Sequence, residues 1–131
     1  MKNKIKLFDP NIGNQELIEF TKVLKSHFWA SGSGTGLVSK FEDKLRKYVG
    51  SKECITVDTG TSALHLALSL FNIKNKEVIL PSLSFVSTAH AILYNGGKPK
   101  FVDVDPNTLC INPDEIRKNI SHKTKVILPV H

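Results

Sequence analysis

After Gly50 the chain changes rhythm, and short β-branched runs at residues 54–57, 78–80, 101–104 and 126–130 alternate with helix-like segments. The intervening helices are expected near 62–71, 85–94 and 113–120, the last with Asn112 as N-cap and Pro113 at its first helical position. Parallel neighbours need a long return connection, so this alternation builds right-handed crossovers and a mainly parallel sheet. The predicted fold class is α/β, three layers with a mainly parallel sheet and helices on both faces. Ligands of such sheets bind beyond the carboxyl ends of the strands. That rule directs attention to residues 58–62, 81–85, 103–106 and 129–131.

Upstream, Leu17, Ile18, Thr21, Val23 and Leu24 recur at helical spacing over 14–26, and Val38, Phe41, Leu45, Tyr48 and Val49 repeat the pattern over 36–49. The expected organisation is a helical segment at 1–50 followed at 51–131 by the start of an α/β domain, broken off after the fourth predicted strand. That strand is apolar enough to be buried and no closing element is predicted after it. The chain is therefore expected to be the N-terminal part of a larger protein.

Composition narrows the function classes. The 131 residues are 40% hydrophobic and 23% charged, an ordinary globular balance. No run approaches the length of a membrane span, and the Lys-rich start leads to Leu7-Phe8-Asp9-Pro10 instead of an apolar signal core, so a cytoplasmic protein without a membrane partner is expected. The net charge of +6 rests almost wholly on scattered lysines, with Arg46 and Arg117 the only arginines. Nucleic-acid readers concentrate their cations and lean on Arg, so a solvated Lys-rich surface is the better account. Cys54 and Cys110 lack any metal-ligand spacing and read as small apolar residues in strands or at strand ends.

Two glycine-bearing stretches compete as anion sites. Gly32-Ser33-Gly34-Thr35-Gly36 follows a helix and carries Leu37 where a dinucleotide fingerprint needs its third glycine, so it reads as a flexible loop. Thr59-Gly60-Thr61-Ser62 sits between a predicted strand and an apolar helix, where free N–H groups and the positive end of the helix dipole favour an anion. Gly60 lets a ligand approach the backbone and the Thr61 and Ser62 hydroxyls are phosphate donors; a helix cap after a glycine turn is the equal alternative. Phe85, in the next strand-to-helix turn, either packs into the core or offers a flat face to an aromatic ligand. Taken together, the two turns point to a phosphorylated planar ligand. Asp103 and Asp105 share one strand face but find no third ligand, so turn formation before Pro106 is expected and no metal. His65 and His90 lie within helices, whereas His131 ends a predicted strand.

Five segments in order carry a resemblance. They are Ser39-Lys40-Phe41-Glu42 through Tyr48-Val49-Gly50, Gly60-Thr61-Ser62-Ala63-Leu64-His65-Leu66-Ala67-Leu68, Pro81-Ser82-Leu83-Ser84-Phe85-Val86-Ser87-Thr88-Ala89, Phe101-Val102-Asp103-Val104-Asp105-Pro106, and Lys123 through Pro129-Val130-His131. In this order they resemble the DegT/StrS family of pyridoxal-phosphate-dependent nucleotide-sugar aminotransferases. The resemblance implies part of a fold type I aminotransferase large domain, with a seven-stranded mixed sheet and a homodimer in the complete enzyme. It implies pyridoxal 5'-phosphate as cofactor, a nucleotide-linked keto sugar and glutamate as substrates, and a role in amino-sugar synthesis for surface polysaccharides or secondary metabolites. Carried over by position, Gly60, Thr61 and Ser62 hold the cofactor phosphate and Phe85 stacks on its ring. The family's Schiff-base lysine and its pyridine-nitrogen carboxylate lie downstream of Pro-Val-His, so no catalytic residue is assigned and the chain is expected to be inactive alone. A dehydratase branch of the family and a non-catalytic module binding a phosphorylated ligand are the alternatives.

Overall fold

The computed structural model describes residues 5, 6, 8–29 and 36–131, which leaves most of the glycine-rich loop at 32–36 outside the described residues. Two compact units divide the chain, Met1–Thr56 and Val57–His131.

The first unit carries α1 (Asn14–Ser26) and α2 (Gly36–Val49), with the bounds expected from apolar spacing. The Glu16 carboxylate accepts the Gly13 N–H at 2.7 Å and so satisfies one orphan donor at the start of α1. At its end His27 turns left-handed, and the Trp29 indole N–H donates to the carbonyls of Val23 at 3.2 Å and Leu24 at 3.3 Å. Beyond α2, the Glu42 carboxylate accepts both the N–H and the hydroxyl of Thr56 at 2.9 Å. That double bond fastens the returning segment to the helix.

The second unit runs α3 (Gly60–Ser69), β1 (Glu77–Pro81), α4 (Val86–Tyr94), β2 (Lys98–Val102), α5 (Pro113–Asn119) and β3 (Thr124–Ile127). Its sheet is parallel with the order β2-β1-β3. The chain steps from β1 outward to β2 and then crosses back to the far side of β1. Right-handed crossovers then place α4 and α5 on opposite faces, which is the expected α/β layering. Val78 and Leu80 of β1 join Leu68, Ile73, Ala91 and Ile92 in the core, with Leu64, Ala89, Val126 and Leu128 packed against it. Ile79 points to the other face and is equally buried, so β1 is apolar on both sides, as a central parallel strand must be.

Several expected bounds are corrected. Residues 54–57 form no strand: Ile55 is 73% exposed and no neighbour among the described residues pairs with them. β-branched composition alone does not make a strand without a ladder partner. The third predicted strand lies earlier, at Lys98–Val102, because its outer half is an exposed edge that tolerates Lys and Pro. The fourth ends at Ile127, with Leu128 still donating to the Ile79 carbonyl at 2.8 Å. Cys54 accordingly lies in irregular chain, free and half-buried like Cys110.

A polar knot joins the amino ends of the three strands. Glu77 of β1 accepts from the hydroxyl of Ser121 at 2.8 Å and pairs with Lys100 of β2 at 3.5 Å, while Lys100 also donates to the Asn119 carbonyl at 2.7 Å. The Ser121 hydroxyl beside Glu77 holds its carboxyl below the usual range, with help from the Lys100 ammonium and against the opposing effect of burial.

Candidate functional site

The α3 helix begins at Gly60, two residues before the sequence-based expectation, so Gly60, Thr61 and Ser62 form its first turn. Thr59 is the N-cap, in extended conformation, and its hydroxyl oxygen accepts the Ser62 N–H at 3.1 Å. The Thr59 and Ser62 hydroxyls lie 3.0 Å apart, and the Ala63 N–H donates to the Thr59 carbonyl at 3.0 Å. The N–H groups of Gly60 and Thr61 have no helical carbonyl one turn back. They are the free donors of this helix end.

Gly60 is not the glycine of a tight turn. Among the described residues the positive-φ glycines are Gly36, Gly50 and Gly96, and a Cβ built on Gly60 meets nothing within 4 Å. Neither backbone conformation nor packing calls for glycine there. What its missing side chain leaves is open space directly over the first-turn amides.

Asp58, which the sequence reading did not single out, stands immediately before the cap. The Ser62 hydroxyl holds its carboxyl below the usual carboxylate range, and burial opposes this. An anionic residue at this end favours the helix dipole but opposes any second anion on the same turn. The only signal for it was adjacency to the glycine turn.

Phe85 follows the carboxyl end of β1 and occupies the N-cap position of α4. Its side chain is 76% exposed, so the core-packing alternative fails. The backbone around it is held firmly: the Thr88 N–H donates to the Phe85 carbonyl at 3.1 Å, and the Ser84 and Thr88 hydroxyls lie 2.7 Å apart. Thr88 is 5% exposed and satisfied by that partner. The fold thus fixes the base of an aromatic ring whose face is open. Helices α3 and α4 pack together through Leu64, Leu68, Ala91 and Ile92, and the Asn95 amide donates to the His65 carbonyl at 3.1 Å. Phe85 itself makes no hydrogen-bonded link to the 59–62 turn.

The remaining candidates have structural partners. Asp105 accepts the N–H groups of Asn107 at 2.8 Å and Thr108 at 3.0 Å, and those bonds, Thr108 first, hold its carboxyl low. Asp103 accepts the Val104 N–H, also at 2.8 Å. Asp105 makes the expected turn, Asp103 does not, and no group of three metal-ligating side chains occurs among the described residues. His65 and His90 flank Tyr94, with ring centroids 5.9 Å and 5.7 Å away. A hollow of about 480 Å³ on α1 is lined by residues of that one helix alone.

β1 and β3 are neighbours in the sheet, and β1 leads on to α4. The DegT/DnrJ/EryC1/StrS aminotransferase family profile matches residues 10–131.

The chain belongs to the DegT/DnrJ/EryC1/StrS aminotransferase family.

Two curated members from Bacillus subtilis (strain 168) are similar to it over most of its length. Spore coat polysaccharide biosynthesis protein SpsC is 38% identical over 123 residues, 93% of this chain and 31% of SpsC. A 3-oxo-glucose-6-phosphate:glutamate aminotransferase is 38% identical over 112 residues, 85% of this chain and 25% of the relative. Among solved structures, GDP-4-keto-6-deoxymannose-3-dehydratase with a trapped PLP-glutamate geminal diamine superposes with a TM-score of 0.83 at 28% identity, over 96% of this chain and 34% of that one. The chain therefore spans between a quarter and about a third of the length of the relatives it matches. Its α/β layering is that of the corresponding part of this family. No helix among the described residues is long and apolar enough to cross a membrane.

Proposed function

We propose that this chain is the N-terminal part of a cytoplasmic, homodimeric aminotransferase that uses pyridoxal 5'-phosphate and glutamate to aminate a nucleotide-linked keto sugar. In this reading residues 51–131 begin the cofactor-binding α/β domain behind the helical segment 1–50. The observation that carries it is the first turn of α3, where Gly60 is required by neither conformation nor packing and the space over it is open. A phosphate pressed against the backbone accounts for that residue type. The exposed, firmly based ring of Phe85 fits the same ligand, because a planar heteroaromatic covers it.

The cofactor, when bound, supplies an aldehyde and an electron-withdrawing ring. The chain's own part is positioning. The Gly60 and Thr61 N–H groups and the Thr61 hydroxyl donate to the phosphate oxygens, and the Ser62 hydroxyl turns from Asp58 to join them. Phe85 covers one face of the ring and keeps water from it. The lysine of the reaction is expected downstream, so none of these residues moves a proton and the chain by itself is inactive. Similarity to the dehydratase favours a second reading in which the same cradle serves dehydration.

Titration with pyridoxamine 5'-phosphate tests this, since that form lacks the aldehyde and does not label the lysine-rich surface. Equilibrium dialysis is expected to show Phe85→Ala weakening binding roughly three- to tenfold, the equivalent of one aromatic contact. Thr61→Ala is expected to weaken it about tenfold or more, as for a hydrogen bond to a charged group. Binding that ignores both substitutions would sink the assignment.

A further inference from the structure

Lysines that lie scattered along the sequence are gathered by the parallel topology. Helices α3, α4 and α5 each return to the amino end of the strand that follows, so the connections at 70–76, 95–97 and 120–123 meet at one end of the sheet. Each delivers a lysine to the entry of its strand: Lys76, Lys98 and Lys123. The Lys76 carbonyl accepts the Lys98 N–H at 2.8 Å and the Lys123 carbonyl accepts the Glu77 N–H at 2.9 Å, so these three stand side by side across the sheet. Lys74 joins them from the same turn as Lys76, its side chain passing over Gly96, where a Cβ would lie 3.4 Å from its Cγ. All four lysines are exposed. Ion pairs in this unit engage Lys100, Arg117 and Lys118, and among the described residues none engages Lys74, Lys76, Lys98 or Lys123. Glu77, the carboxylate set among them, is already held by Lys100 and Ser121.

Three helix C-termini offset part of this charge, at about half a negative charge each, and leave the patch positive. Exposed apolar side chains stand in the same connections: Leu70 is 80% exposed, Phe71 51% and Ile120 53%. The combination selects the partner. Lysine is a point charge without the bidentate fork that reads a nucleic acid, and a phosphodiester backbone offers nothing to Leu70 or Ile120. An anionic bilayer meets both halves, because its headgroups attract the ammonium groups and its interface takes the apolar side chains. The expectation of no membrane partner rests on the lack of a spanning segment, and a reversible surface contact needs none. Gly60 at the far end of α3 and Phe85 beyond the carboxyl end of β1 stay open in such a contact.

We propose that the amino end of the sheet, where Lys74, Lys76, Lys98 and Lys123 surround Leu70 and Phe71, docks reversibly on an anionic membrane surface. This docking rests on the fold and not on the cofactor assignment. The 131-residue chain is expected to sediment with vesicles of equimolar phosphatidylglycerol and phosphatidylcholine, to ignore vesicles of phosphatidylcholine alone, and to dissociate as salt rises. Lys74→Gln with Lys76→Gln, and Lys98→Gln with Lys123→Gln, are each expected to weaken binding roughly tenfold or more, at about fivefold per lysine removed. The pair that keeps the parent's circular dichroism decides. Lys40→Gln with Lys44→Gln removes the same charge from α2 and is expected to stay within about twofold of the parent. Leu70→Ser is expected to weaken binding about two- to fivefold, and that loss to persist at higher salt. Absence of sedimentation with the anionic vesicles overturns the proposal, whether or not a DNA duplex is bound instead. Equal losses from the sheet-end and α2 lysine pairs overturn it too, as does equal uptake by the uncharged vesicles.

Discussion

The hydroxyl oxygen of Thr59 accepts the Ser62 N–H at 3.1 Å and lies 3.0 Å from the Ser62 hydroxyl, so one side chain both caps α3 and orients the next hydroxyl of the turn. Thr59→Ala removes both contacts. It is expected to destabilise the second unit by about 1 kcal/mol, the usual cost of a lost N-cap, whereas Thr59→Ser keeps the cap and most of the stability. Urea midpoints at unchanged slope measure the difference.

Asp58 shares its helix end with the proposed phosphate. Asp58→Asn keeps the size of the side chain and removes the charge, so inorganic phosphate and pyridoxamine phosphate are expected to bind about two- to fivefold more tightly at low salt. The gain shrinks as salt rises, because both charges are exposed to solvent. Parallel titrations at two ionic strengths check this.

Glu77 makes the sheet acid-sensitive. Its folded carboxyl titrates below the ordinary value of 4.5, chiefly through the Ser121 hydroxyl and then Lys100. The unfolded chain therefore takes up the proton first as pH falls. The stability Glu77 contributes is fully present above 4.5 and is lost progressively as pH drops below that value through its folded pKa. Glu77→Gln is expected to flatten this part of the stability curve, and chemical denaturation between about pH 6 and 3 measures it.

Gly97 is a tight spot in the core. A Cβ there would lie 2.9 Å from Ile92 Cγ2 and 3.0 Å from Ile73 Cδ1. Gly97→Ala is expected to cost about 1–3 kcal/mol by overpacking, and a second change, Ile92→Val, to return part of it. Thermal unfolding of the single and double variants reads the coupling.

Local pattern carried much of the architecture, and lateral relations escaped it. The apolar spacing of α1 and α2 marked both helices, and Asn112-Pro113 marked α5, because caps and stripes are written in adjacent residues. The order β2-β1-β3 has no such local trace, since alternation says that parallel strands form but not which lie side by side. Residues 54–57 look like a strand and form none, while Lys98-Pro99-Lys100 looks like a loop and pairs with β1, because a ladder partner decides both cases. At the site, Thr59-Gly60-Thr61-Ser62 was legible as the start of a helix, although residues 54–57 before it form no strand. Whether Gly60 is required by a tight turn was not, because that depended on its φ and on the space around it. The exposure of Phe85 likewise needed the fold. Glu77, Lys100 and Ser121 meet only in three dimensions, and nothing local announces them.

The central claim is that the first turn of α3 holds a phosphate, and amide chemical shifts of the ¹⁵N-labelled chain read it directly. On adding pyridoxamine 5'-phosphate, the Gly60 and Thr61 amides are expected to shift downfield and saturably, with smaller shifts at Ser62 and in the residues flanking Phe85, and Thr61→Ala to weaken the response. Saturable shifts confined to other surfaces, with Gly60 and Thr61 unmoved, would contradict the account.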